Sequence, residues 1–202
     1  MLINNKFLKY SSFLLSLAFI FYIIYMIFTS FNIVKNQFID INGLTYVNQV
    51  RTDDYTLKLA NYLIKDCNKN EICEVQKMLD FVTRIPYKVN EGIAKSSKQV
   101  VTQNYGDCDD KSNLLISMLK VKGYEAYFVL VPKHIFVIVN LKNKLSNKKA
   151  LYINGKRFYK LESTATNSKI GFPLKYAFDE IEAIIDPFEN KQLVVNEMEY
   201  KY

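Results

Sequence analysis

Apolar and polar positions divide the chain into an unbroken apolar run followed by a patterned remainder. From Tyr10 to Val34 no residue is charged, and Phe13–Phe28 (FLLSLAFIFYIIYMIF) is apolar almost throughout. With its flanks the run is about 20 residues long, which at ~1.5 Å rise per residue matches a hydrocarbon core about 30 Å thick. This predicts a transmembrane helix, with the lipid bilayer taking residues 11–31. A cleaved signal peptide is the rival reading, but it calls for a shorter core and small residues at the cleavage site. Here the run ends in Tyr25, Met26, Ile27 and Phe28, which favours an uncleaved anchor. Lys6 and Lys9 precede the run, so the positive-inside bias places the amino terminus in the cytoplasm and the rest on the periplasmic or extracellular side.

Beyond the apolar run the pattern changes. Residues 35–52 read as a connector of mixed character, and 53–202 as one domain. Helical spacing of Leu57, Ala60, Leu63 and Ile64 predicts a helix over Asp53–Lys65, and Ile72, Val75, Leu79 and Val82 predict one over Glu71–Arg84. Pro86 then stops the helix. Glu91–Gln99 reads as a short helix or an irregular loop. Leu114, Leu115, Met118, Leu119 and Val121 predict a helix over Cys108–Lys122, with Gly123 as its C-cap. Strands follow at Tyr124–Val131 and His134–Leu141. A hairpin joins Ala150–Ile153 to Arg157–Glu162 through the Asn154–Gly155 turn. A last helix is expected between Pro173 and Ile185. Helices followed by an antiparallel sheet make an α+β fold.

Composition changes this picture little. The chain has 202 residues, and the roughly 165 outside the apolar run suffice for one core. The net charge is +7, or +5 with Lys6 and Lys9 set aside. The excess lies around Lys142, Lys144, Lys148, Lys149, Lys156 and Arg157. No nucleic-acid motif accompanies it, so it reads as a solvated loop and hairpin, and no nucleic-acid partner is expected.

There are three cysteines and one histidine, too few for a structural zinc site. Cys67 and Cys73 flank a short turn between two helices and are placed to form a disulfide in an oxidising compartment. The alternative is two buried thiols. If they pair, Cys108 is left over. It stands at a helix start, where free backbone N–H groups and the positive dipole end favour a thiolate. Asp107, Asp109 and Asp110 oppose that, since carboxylates beside a thiol raise its pKa. His134 is the imidazole available to a thiol nucleophile as base and acid. Glu162 ends a strand that can lie beside the His134 strand, where its carboxylate would orient the imidazole.

The run Gly106-Asp107-Cys108-Asp109-Asp110-Lys111-Ser112, then Leu114-Leu115 and Gly123-Tyr124, resembles the nucleophile helix of transglutaminase-like domains. Val131–Val137 resembles their histidine strand, and Arg157–Thr164 resembles their third motif, an aromatic strand ending in Asp or Glu and then Thr. The resemblance covers about Ile72–Phe172. It implies a papain-like fold with a nucleophile helix on an antiparallel sheet and a catalytic triad of Cys108, His134 and Glu162. Phe136 and Phe158–Tyr159 stand where the family often has Trp, and Glu162 where Asp is commoner.

The implied activity is that of a cysteine peptidase or amidase, or a transglutaminase-like acyl transferase, acting on a protein or peptide substrate. Cys108 N–H and a side chain of the preceding loop, Tyr105 or Gln103, are the oxyanion candidates. No cofactor is required by this chemistry. The transglutaminase-like bacterial proteases that cleave surface adhesins are a precedent for calcium at acidic residues beside the nucleophile, here Asp107 and Asp109; the alternative is that Asp107 caps the helix. A non-catalytic binding or assembly module on the same fold is the other function class.

Overall fold

A computed structural model describes residues 6–89 and 94–202, in two compact units, Met1–Phe38 and Ile39–Tyr202. The first unit is helix α1 (Lys6–Gln37). Within it Lys9–Ser30 has a mean hydropathy of 2.2 over 22 residues, long and apolar enough to cross a membrane. Length and composition alone fit a signal sequence equally well.

The second unit mixes helices with antiparallel sheet. A small hairpin, β1 (Phe38–Ile41) and β2 (Leu44–Val47), turns at Asn42 and Gly43, both with left-handed backbone. Residues 44–51 fall in the stretch expected to be a connector, yet they pack into the domain. Tyr46 and Val50 are buried, Gln49 N–H donates to Asn113 Oδ1 at 2.7 Å, and Arg51 N–H donates to Ser117 Oγ at 3.0 Å. Helix α2 (Asp54–Ile64) is capped by Asp53, and α3 (Glu71–Arg84) by Asn70. Cys67 and Cys73 form a disulfide that ties the turn between these helices to the first turn of α3. Of the segment expected at Glu91–Gln99, residues 91–93 lie outside the described residues; Ser96 and Gln99 form a capping box that starts α4 (Ser97–Gln103).

The central helix is α5 (Cys108–Val121), buried without a break from Asp110 to Leu119. Its polar residues Ser112, Asn113 and Ser117 are buried too, each with hydrogen-bond partners. It lies on a sheet of β3 (Ala126–Val131), β4 (His134–Val139), β5 (Ala150–Ile153), β6 (Lys156–Leu161), β7 (Ala183–Asp186), β8 (Lys191–Gln192) and β9 (Met198–Lys201). The strand order is β8-β7-β3-β4-β6-β5-β9. The two edge strands are only a few residues apart in the chain. Six residue steps reach about 20 Å, whereas the outer strands of a flat seven-stranded sheet would lie about 28 Å apart. The sheet therefore curls into a half-barrel.

The expected helix between Pro173 and Ile185 does not form. The segment holds a 3-10 turn, Phe178–Glu180, followed by β7, which pairs with β3. β-branched Ile184 and Ile185 suit a pleated strand, and the free edge of β3 decides what local pattern leaves ambiguous. One face of the sheet packs under the helices through Phe128, Val137, Val139 and Leu161. The other face, with Val129, Phe136, Ile138 and Phe158, is covered by Leu174, Tyr176, Ile181, Leu193 and Met198.

Candidate active site

The site lies where the start of α5 meets one end of β4 and the end of β6. The loop before α5 is held by its backbone: Gly106 N–H donates to Pro86 O at 3.2 Å, and Lys88 N–H to Gly106 O at 3.1 Å. A Cβ at Gly106 would come within 2.8 Å of Asp110 Cβ, so the loop passes here only as glycine. Asp107 is the N-cap, its Oδ1 accepting Asp110 N–H at 3.1 Å. Cys108 is the first residue of the helix and is partly buried. Its amide is among those that find no carbonyl within the helix.

The thiol faces β4. The backbone N–H of Ile135, the residue after His134, lies close enough to the sulfur to lower the thiol's pKa. His134 opens β4 after a tight turn in which Lys133 adopts left-handed backbone, and it pairs with Val131 across the hairpin. Its Nε2 lies 3.1 and 3.2 Å from the two oxygens of Glu162.

Glu162 follows β6, whose Leu161 pairs with Val137 of β4. Its Oε1 accepts Thr164 Oγ1–H at 2.8 Å, and Lys160 Nζ stands 3.2 Å from Oε2. Burial alone would raise its pKa, but the hydrogen bond and charge of His134, then Thr164 and Lys160, bring it down to about 2. Ser163 Oγ meets Ser112 Oγ at 3.0 Å and fixes α5 against this strand end.

The electrostatics of the thiol run the other way. Burial, then the charges of Asp109 and Asp107, push Cys108 up to about 12, against the opposing influence of the Asp109 and Ile135 amides. The helix start expected to favour a thiolate is outweighed, and the resting group is a thiol. Its S–H points at Asp109 Oδ1, 3.9 Å away. Asp109 is itself raised to about 6 by burial and by its neighbours Asp107 and Asp110.

The other residues singled out in the sequence are placed as follows. Gln103 ends α4 and is exposed, and Tyr105 is partly buried with its ring under Lys95 Nζ (3.6 Å) and Lys88 Nζ (5.0 Å). Asp110 is buried, with Oδ1 on Lys95 N–H at 2.8 Å and Oδ2 facing Lys95 Nζ at 3.4 Å. Calcium takes roughly six to eight oxygens. Asp110 is committed to Lys95 and Asp107 to the cap. Among the described residues no group of three or more His, Cys, Asp or Glu side chains could hold a metal ion.

Two tyrosines join the site without having stood out in the sequence. Tyr176 stacks on His134 (6.4 Å between ring centres) and on Phe136 (6.1 Å), and burial, then the charge of Glu162, raises the pKa of its phenol. Tyr87 is exposed and senses Cys108, Asp107 and Asp109.

No family model and no curated protein matches the chain. Among solved structures, a cysteine-protease candidate from Cytophaga hutchinsonii is similar over 77% of this chain, at 16% identity and a TM-score of 0.44. The chain spans 52% of that structure's length. A likeness this loose leaves the functional reading to rest on the site itself.

Proposed function

We propose that the chain is a membrane-anchored, transglutaminase-like thiol enzyme of the papain type, a cysteine peptidase or amidase acting through Cys108, His134 and Glu162. The observation that carries this reading is the His134–Glu162 pair, 3.1 Å apart, next to a thiol at a helix start. A carboxylate that fixes the imidazole through Nε2 leaves Nδ1 as base toward the sulfur.

In this mechanism His134 takes the Cys108 proton as the sulfur attacks a carbonyl carbon, because the resting thiol is not ionised. The oxyanion is received by the Cys108 N–H. The tetrahedral intermediate collapses to a thioester while His134 protonates the leaving amine. Water then releases the acid, or an amine accepts the acyl group. Tyr105 and Gln103 remain the side-chain oxyanion candidates. The bilayer would hold residues 11–31, with the domain on the outer side of the membrane and a protein or peptide as substrate. No step uses a metal or cofactor.

The high resting pKa of the thiol favours a second reading, a non-catalytic binding or assembly module. Labelling of Cys108 by iodoacetamide and by peptidyl chloromethyl ketones separates the two, compared in wild type, Cys108→Ala and His134→Ala. For an enzyme, His134→Ala slows labelling by the peptidyl reagent about tenfold or more, within the usual range for a general base. Equal rates in wild type and His134→Ala would favour the binding module.

A further inference from the structure

Lys160 is a lysine in the interior, 5% exposed, two residues before Glu162 on β6. Its Nζ stands 3.2 Å from Glu162 Oε2, the oxygen that also lies 3.2 Å from His134 Nε2. Three aromatic faces enclose the ammonium: Phe136 at 4.3 Å, Tyr176 at 5.4 Å and Phe172 at 5.5 Å. The backbone of the same residue anchors part of that cage, since its carbonyl accepts the N–H groups of Gly171 (3.0 Å) and Phe172 (3.1 Å). Burying a cation among rings is tolerated because a carboxylate and π faces replace its water. Burial lowers the pKa of this ammonium and the Glu162 carboxylate opposes that, so the pair holds the charge at the acid end of the site.

We propose that Lys160 is a positioning residue that shares the Glu162 carboxylate with His134, and so limits how strongly that carboxylate holds the imidazole of the Cys108 base. This rests on the thiol-enzyme reading for its consequence, though not for its electrostatics. A carboxylate facing the imidazole alone stabilises the imidazolium with its whole charge. Here the ammonium neutralises part of that charge and repels a second cation brought to the same oxygens. The shared carboxylate therefore stabilises an imidazolium less than an unshared one would. Other charged groups around the pair are Lys111 from α5, whose charge reaches Glu162, Lys175 near Lys160, the Tyr176 phenol, and Asp109 near His134. Lys160 is the lysine that forms an ion pair with Glu162 among the described residues, at 3.2 Å.

His134 is the only histidine in the chain, so its ring resonances report its titration directly. The full chain in detergent is titrated by NMR as wild type, Lys160→Met and Lys160→Arg. Lys160→Met is expected to raise the His134 midpoint by about one pH unit, and Lys160→Arg to restore it close to wild type. An unchanged or lowered midpoint in Lys160→Met would overturn the proposal, since a merely space-filling lysine would not move it. Should Lys160→Met not fold, Lys160→Met/Glu162→Gln removes both buried charges. Compared with Glu162→Gln alone, its His134 midpoint is expected to lie higher, because the repulsion between ammonium and imidazolium is lost; an equal or lower midpoint would overturn the proposal. Iodoacetamide labelling of the same samples and of His134→Ala tests the underlying reading apart from this one. If labelling ignores His134 while the midpoint shifts as stated, the thiol enzyme fails and the shared carboxylate stands.

Discussion

At Asp109 a single carboxyl group works against both the thiol and the fold. It is pushed up to about 6 by burial and by two acidic neighbours, and it helps hold Cys108 in the thiol form. Its folded pKa lies above the ordinary 3.8, so the native state is favoured when the group is protonated. That contribution is present below about pH 4 and is lost as pH rises through 6. Asp109→Asn is therefore expected to stabilise the protein at pH 7 by up to about 3 kcal/mol, read as a higher urea midpoint, with the gain vanishing below pH 4. The same variant is expected to speed iodoacetamide labelling of Cys108 at pH 7.5 by about tenfold; an unaltered rate would dismiss Asp109 as the restraint. Glu162 has the opposite sign. Its pKa is lowered from 4.5 to about 2, so its contribution is complete above 4.5 and lost as pH falls from there to 2. Unfolding free energies measured from pH 5 to 2 are expected to drop by about 3 kcal/mol for this group, and the drop should be smaller in Glu162→Gln.

Elements show which features local sequence can announce. α3 forms over the stretch that its apolar spacing and Arg84–Pro86 delimit, and the Asn154–Gly155 turn adopts left-handed backbone at both residues, as a two-residue hairpin turn requires. The start of α5 was legible as well, because Gly106 and Asp107 are a turn and a cap in sequence before they are so in space. The segment after Pro173 was not legible, since its strand exists only because β3 has an edge to fill. Lys160 was hidden for a related reason: a lysine in a strand reads as a solvated residue until three distant aromatic rings close over it. Two tests belong at this scale. Gly106→Ala brings a Cβ within 2.8 Å of Asp110 and is expected to cost about 1–3 kcal/mol, with labelling of Cys108 altered at the same time. Replacing Cys67 and Cys73 by serine opens a loop closed across six residues and is expected to cost about 2 kcal/mol, measured as a lower thermal midpoint with the site chemistry unchanged.

For the whole molecule, the question is where the domain begins. The sequence suggested 53, because residues 35–52 lack a clear period. In the structure residues 44–51 supply buried Tyr46 and Val50, and two amides that satisfy Asn113 and Ser117 on α5. A fragment beginning at Ile39 is expected to unfold in one cooperative thermal transition. One beginning at Asp53 leaves the buried polar groups of α5 without those partners and is expected to melt at least several degrees lower, roughly 2–4 °C for each kcal/mol in a domain of this size. Equal melting temperatures would restore the connector.

The curled sheet has an outcome for how copies of this protein behave together. An open sheet offers two rows of unpaired backbone groups, each a template on which another chain can add a strand. Here both outermost strands, β8 and β9, are drawn from one short stretch, and the residues between them are fastened to the Asn154 turn by Asn154 Nδ2 on Val194 O and Asn196 N–H on Asn154 Oδ1. An incoming strand at either side must contend with the same tether, so loosening one edge loosens the other. Asn154, a turn residue between β5 and β6, thereby fastens the one segment that joins both outermost strands.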